Sequence, residues 1–140
     1  MSIIDSLIYD RTQQDLLKET DKAYISYIDL NRIESAVKYL SDLLNTYGYR
    51  NITVDKTEWR IDEIRKQEDC DRIKSNYEVL KNAYGYKFDI PMFNWSTIHE
   101  ANYIERILVN IEELIKKMEF VFRWSNTFYS GGMEGLIWVF

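Results

Sequence analysis

Three stretches of this chain repeat apolar residues in steps of three and four, and that rhythm limits the folds open to it more than any other feature. Such steps stack side chains on one face of an α-helix. The first stretch holds Leu30, Ile33, Val37, Leu40, Leu44 and Tyr47. The second holds Cys70, Ile73, Tyr77, Leu80 and Tyr84. The third holds Ile104, Leu108, Ile111, Ile115, Met118 and Phe122, widened by Ile107, Leu114 and Val121. The expected fold is therefore mainly α: a bundle of three long helices, with the third, broadest stripe at its centre.

Local signals set the expected ends. Asp29 is a good N-cap for the first helix, with Ile28 and Ile33 at the two positions of a hydrophobic staple. Gly48 suits a left-handed cap, with Tyr49 folding back on Leu44. The second helix is expected over 66–84, with Glu68 and Asp69 in its first turn and Gly85 closing it. The third is expected over 98–124, with Thr97 and Glu100 spaced as a capping box. A shorter helix capped by Thr12 fits 13–20, and Leu7, Ile8 and Tyr9 read as a short strand. Residues 127–130 and 136–140 flank Gly131 and Gly132, a pattern for a small hairpin or an extended tail. One domain results: an N-terminal arm over 1–27, a helical body over 29–124 and an aromatic tail over 125–140.

The connections carry much of the aromatic content. Tyr47-Gly48-Tyr49 and Tyr84-Gly85-Tyr86 each end a helix, and each leads to a tryptophan, Trp59 or Trp95. Three stripes alone do not offset the ordering entropy of 140 residues. Tyr49, Ile52, Val54, Trp59, Phe88, Ile90, Phe93 and Trp95 are therefore expected to pack over the bundle, in ordered loops.

Composition excludes several functions. The formal charge is −5, and the basic pairs Arg65-Lys66 and Lys116-Lys117 have acidic neighbours, so nucleic acid is not the expected partner. One cysteine makes an intrachain disulfide impossible. No apolar run approaches the ~20 residues that span a bilayer, and no basic segment precedes the first apolar residues as in a signal peptide. Neither membrane insertion nor signal-directed secretion is expected.

No constellation for catalysis stands out. His99, the only histidine, lacks companions for a metal. Cys70 lies on an apolar stripe between two aspartates, which disfavours a thiolate. Glu112-Glu113 and Asp62-Glu63 sit among Lys and Arg and read as solvated surface rather than as acid–base pairs. The expectation is no enzyme, no metal and no cofactor. Asn31 and Arg32 open the first long helix and read either as a grip on an acidic partner or as part of a local ion pair. The C-terminal Leu136, Ile137, Trp138, Val139 and Phe140 carry no charged side chain. They pack either on their own domain or on another chain, for example by adding a strand to a sheet edge. With Phe128 and Tyr129 they make this end the candidate contact surface, alongside Asn31 and Arg32.

Several segments, taken in order, resemble small helical modules in tail and other virion proteins of phages and prophages of Gram-positive bacteria. They are Asp10-Arg11-Thr12-Gln13, Tyr27-Ile28-Asp29-Leu30-Asn31-Arg32-Ile33-Glu34-Ser35-Ala36-Val37 with Tyr39-Leu40, Thr57-Glu58-Trp59 leading to Ile64, Ala101-Asn102-Tyr103-Ile104-Glu105 with Ile107-Leu108, and Phe128-Tyr129-Ser130-Gly131. The Asp-Leu-Asn-Arg-Ile-Glu run is the most specific. Arg65 departs from the proline usual after the position of Ile64. The resemblance implies a structural role in a phage tail, baseplate or related particle, present in repeated copies or as a homo-oligomer. It implies other virion proteins as partners and assembly in the host cytoplasm. The competing expectation is a phage-encoded regulator or inhibitor that binds one host protein.

Overall fold

The computed structural model describes residues 3–17, 25–85, 87–91, 93, 95 and 97–130, with only the backbone described for residues 16, 84 and 119–130. The chain is mainly helical. A 3-10 turn, Ile3–Ser6, is followed by helices α1 (Gln13–Leu17), α2 (Tyr27–Thr46), α3 (Gln67–Tyr84) and α4 (Ile98–Ser130). Among the described residues there is no strand, and no helix is long and apolar enough to cross a membrane.

The apolar stripes are the core. Ile33, Leu40, Leu44, Ile73, Tyr77, Ile104 and Leu108 are wholly buried. Helix α2, rather than α4, is the hub, since α3, α4 and the 3-10 turn all pack against it. The broad arc of α4 is covered partly by the N-terminal arm, where Ile4 and Leu7 are buried. Residues 7–9 are not a strand. Leu7 continues the 3-10 turn through its N–H to the Ile4 carbonyl at 3.1 Å, because a lone extended segment here would have no neighbour to pair with.

Helix α2 starts earlier than its sequence suggests. Ser26 is the N-cap and Asp29 occupies N3, its carboxylate accepting from the Ser26 N–H at 2.8 Å. At N3 the same carboxylate also faces the positive helix end and pairs with Arg32 at 2.6 Å. Ile28 is 58% exposed, so no staple forms. The other end follows its residues closely. Gly48 has φ 89°, its N–H reaches the Asn45 carbonyl, and the Tyr49 N–H reaches the Leu44 carbonyl at 2.9 Å. This is a Schellman cap, and a side chain at position 48 would be strained by φ alone. Gly85 closes α3 more simply, with φ 77° and one bond to the Lys81 carbonyl.

Helix α4 continues through 127–130, so the first half of the expected hairpin is helical. No glycine or proline interrupts the chain from Ile98 to Ser130, and each added residue gains a hydrogen bond. Gly131, Gly132 and residues 136–140 lie outside the described residues, as do 18–20 of the expected first helix.

The long helices run in the same direction. Arg72 of α3 meets Glu34 of α2, and four residues on Asn76 meets Val54, which lies toward the C-terminal end of α2. Glu105 of α4 meets Arg32 near the start of α2. Parallel neighbours need connections that return the full helix length, which is why residues 47–66 and 85–97 are long. Trp59 and Phe93 on these returns are buried, and Tyr49, Phe88, Ile90 and Trp95 are half-buried against the core. Ile52 and Val54 are 84% and 65% exposed, contrary to the packing expected of them.

Tyr77 ties three of these parts together. Its ring meets Phe93 edge to face at 4.6 Å, and its hydroxyl donates to the Ile104 carbonyl at 2.7 Å. Complete burial, with Glu105 nearby, raises its phenol well above the ordinary value near 10. The folded state therefore holds a proton that the unfolded chain releases. That contribution is whole below pH 10 and is lost as pH rises through the folded value.

Two outcomes follow for equilibrium unfolding. Ile33→Ala costs about 2–5 kcal/mol in urea titrations, whereas Ile28→Ala stays within about 0.5 kcal/mol. Tyr77→Phe lowers stability by about 1 kcal/mol at pH 7, and its stability falls less steeply than wild type above pH 10. Identical alkaline profiles would contradict the assignment.

Candidate interaction surface

Each long helix carries a polar stripe beside its apolar one. On α2 it reads Asn31, Glu34, Lys38, Ser41, Asn45, again in steps of three and four. On α3 it reads Asp69, Arg72, Asn76, and on α4 Asn102, Glu105, Glu112, Lys116, interrupted by the apolar Val109. Two extended segments lie along these stripes: the N-terminal arm and the return over 49–59.

Four asparagines hold the segments by the main chain. Each accepts from the N–H of one residue and donates to its C=O. Asn31 holds Trp59 at 2.5 and 3.1 Å. Asn45 holds Asn51 at 2.9 and 3.1 Å. Asn76 holds Val54 at 3.0 and 2.7 Å. Asn102 holds Arg11 at 2.9 and 3.0 Å. A primary amide matches the donor–acceptor pair of a peptide edge, so these side chains take the place of a neighbouring strand.

Two buried carboxylates complete the arrangement. Glu105 is 0% exposed. It accepts from the Ile8 N–H at 3.0 Å, from Arg11 at 2.6 Å, and from both Nε and Nη2 of Arg32 at 2.8 and 3.1 Å. Glu34 is 1% exposed. It accepts from the Lys56 N–H, the Trp59 indole N–H and both Nη atoms of Arg72. Burial works against the charge on Arg32, but hydrogen bonds and attraction from Glu105 and Asp29 outweigh it and its affinity for the proton rises. For Arg72 the hydrogen bond it donates to Glu34 is the leading cause of the same rise. Both carboxylates spend their lone pairs on fixed donors. A general base needs one free for a substrate proton, so this chemistry is structural.

The remaining candidates are placed as follows. Asn31 and Arg32 turn inward, one onto Trp59 and the other onto Asp29 and Glu105, which is the local ion-pair reading rather than the grip on a partner. Phe128 and Tyr129 lie on the last turn of α4 by their backbone; Leu136, Ile137, Trp138 and Phe140 fall outside the described residues. His99 is exposed on the first turn of α4. Cys70 is buried, and burial pushes its thiol up, against a smaller opposing pull from Arg65. Among the described residues no three His, Cys, Asp or Glu side chains are grouped to hold a metal. Glu113 is exposed, but Glu112 is not the solvated residue expected: it is buried and paired with Lys116 at 3.1 Å. Glu100 meets half of its capping expectation, its N–H reaching Thr97 Oγ1 while its carboxylate accepts from the Trp95 N–H.

The return over 47–66 presents four aliphatic side chains outward among its exposed charged ones. Ile61 and Ile64 are each 82% exposed, in addition to Ile52 and Val54. The segment is held from beneath at Asn51, Val54, Lys56 and Trp59, so Ile52 and Val54 stand on a fixed frame, and Ile61 and Ile64 follow the last clasp. Lys56 lies 4.0 Å over the Trp59 ring and also pairs with Glu63.

No family model matches this chain, and no curated protein or solved structure is similar to it.

Glu105→Gln leaves the buried Arg11 and the half-buried Arg32 guanidinium groups without their main counter-charge and costs about 3–5 kcal/mol. Glu113→Gln changes stability by no more than about 0.5 kcal/mol. Guanidinium chloride unfolding of both variants measures the contrast, and equal costs would refute the central role of Glu105.

Proposed function

We propose that this protein is a structural component of a phage tail or baseplate, or of a related phage-like particle, and acts by contact with neighbouring proteins. The observation that carries the contact reading is the outward aliphatic set on the return, with Ile52 and Val54 on its clamped part and Ile61 and Ile64 just beyond the last clasp at Trp59. An ordered segment loses little entropy when it docks, so side chains held this way favour association. The tail assignment rests on the resemblance of the Asp29-Leu30-Asn31-Arg32-Ile33-Glu34 run and its companions to phage virion modules. On this reading three long helices form a rigid bundle, and the bundle is a spacer that presents contact surfaces in repeated copies. The aromatic C-terminal end, with Phe128, Tyr129, Leu136, Ile137, Trp138 and Phe140, is the second contact region. The module is non-catalytic, in keeping with carboxylates saturated by arginine.

Purified particles from a producing culture test this directly. The protein is expected in the particle pellet by mass spectrometry, and it should remain after a high-salt wash. Ile61→Asp with Ile64→Asp should leave the helical circular-dichroism signal intact and reduce incorporation about tenfold or more. Recovery only from the soluble fraction, as a small species, would sink the proposal and favour a regulator that binds one host protein.

A further inference from the structure

The same clasp is built twice in this molecule. Asn31-Arg32-Ile33-Glu34 on α2 and Asn102-Tyr103-Ile104-Glu105 on α4 share the pattern Asn-x-Ile-Glu. Asn31 holds both main-chain groups of Trp59, and Glu34 accepts from the N–H of Lys56, three residues earlier, and from the Trp59 indole. Asn102 holds both main-chain groups of Arg11, and Glu105 accepts from the N–H of Ile8, three residues earlier, and from the Arg11 guanidinium. Each bound segment runs antiparallel to its helix. In both clasps an arginine of another helix closes the carboxylate with two hydrogen bonds, Arg72 on Glu34 and Arg32 on Glu105. That arginine stands three residues after a first-turn aspartate with which it pairs, Asp69 at 3.7 Å and Asp29 at 2.6 Å. The bound stretches, Lys56-Thr57-Glu58-Trp59 and Ile8-Tyr9-Asp10-Arg11, share no residue at matching positions. The clasp therefore reads a peptide edge and one donor side chain, and a segment of any chain can supply those.

The two segments differ in their tether. Asn45 holds Asn51 only 6 positions on, so the return is tied to its own helix. The arm joins the body through residues 12–25. The gap they close is small: the Arg11 guanidinium lies 3.8 Å from Asp29, whose carboxylate accepts from the Ser26 N–H at 2.8 Å. Residues 12–25 reach about 46–50 Å when extended, and with Gln13–Leu17 helical they still reach about 37 Å. We propose that this length lets two copies of the chain exchange arms, so that Ile8 to Arg11 of each copy seat in the Asn102–Glu105 clasp of the other. A second copy brings Arg11 to Glu105 and Asp29 in the spacing that the seat takes, and Ile4 and Leu7, buried on the core, travel with it. Every bond made within one chain is remade between two, so concentration sets the balance. A tether of this length holds the arm at an effective concentration on the order of millimolar. Copies packed side by side stand at a comparable local concentration, and there the exchange links them without any new contact.

This inference rests on the chain's own geometry and not on the particle assignment, so a failure of one leaves the other standing. Tyr9 on the arm and Arg106 on α4 are neighbours, with the guanidinium 5.5 Å from the ring centroid, and both are exposed and outside the clasp. A full chain carrying Tyr9→Cys and another carrying Arg106→Cys are refolded together from urea and treated with a short thiol cross-linker. The cross-linked pair of unlike chains should be about tenfold or more abundant after refolding at about 1 mM than at about 10 µM. A single chain with both substitutions should cross-link within itself at the lower concentration, which shows that the two thiols are in reach. Wild type, whose Cys70 is buried, serves as the blank. Arg11→Met in the chain with Tyr9→Cys should reduce the mixed product about tenfold, because that arm no longer brings a charge to Glu105. Arg11→Met in the chain with Arg106→Cys should not reduce it, because that chain lends only its groove. A mixed product no greater than each variant forms with itself, or equal losses from Arg11→Met in either chain, would overturn the proposal.

Discussion

A peptide chain laid in extended form along a helix has no strand beside it, and its N–H and C=O groups must still be satisfied wherever water is excluded. Most of this structure depends on how that is met. Asparagine side chains on α2, α3 and α4 supply the missing donor–acceptor pairs, and Glu34 and Glu105 supply acceptors for further N–H groups. Because the helices run parallel, extended returns are unavoidable. Because the returns are extended, each helix needs a polar stripe next to its apolar one. The parallel arrangement also gathers positive helix ends at one side of the molecule, where Asp29, Asp69 and Glu100 stand in first turns.

The buried ion pairs belong to the same logic. A charge taken out of water is costly unless its partners are fixed. Here each carboxylate joins two elements that the apolar stripes alone would leave free to slide. Glu34 links α2 to α3 and the return, and Glu105 links α4 to α2 and the arm. Hydrophobic contact tolerates small shifts along a helix, while a bidentate arginine does not. The stripes thus bring the helices together, and the polar groups set their register.

Much of the helical part was legible in the sequence. The apolar periods of α2, α3 and α4, the glycine caps and the first-turn acids of α3 lie where the residues indicate. The ends of α2 and α4 were less legible for separate reasons. Asp29 serves at N-cap or at N3, and in the structure its bond from the Ser26 N–H and its pairing with Arg32 go with N3. Residues 125–130 contain nothing that stops a helix, so α4 runs on through them. The polar stripes were present in the same three-and-four rhythm, as Asn31, Glu34, Lys38, Ser41 and Asn45 show. They signal burial only once an extended segment is known to lie on them. For the same reason Glu112 reads as a surface residue from its neighbours in sequence. The exposure of Ile52 and Val54 was hidden from a reading that assigns every aliphatic residue to a core.

The N-terminal arm differs from the other clasped segment in how far along the chain its partners lie. Asn31, Asn45 and Asn76 reach residues 6 to 28 positions away, whereas the bonds of Ile8 and Arg11 to Asn102 and Glu105 span 91 to 97 positions. Closing so large a loop costs the most chain entropy, and α4 must already be in place to receive the arm. Helices α2 and α3 with their return can therefore assemble during synthesis as soon as residue 84 has emerged. The arm, although it precedes α2 in the chain, can dock only after α4.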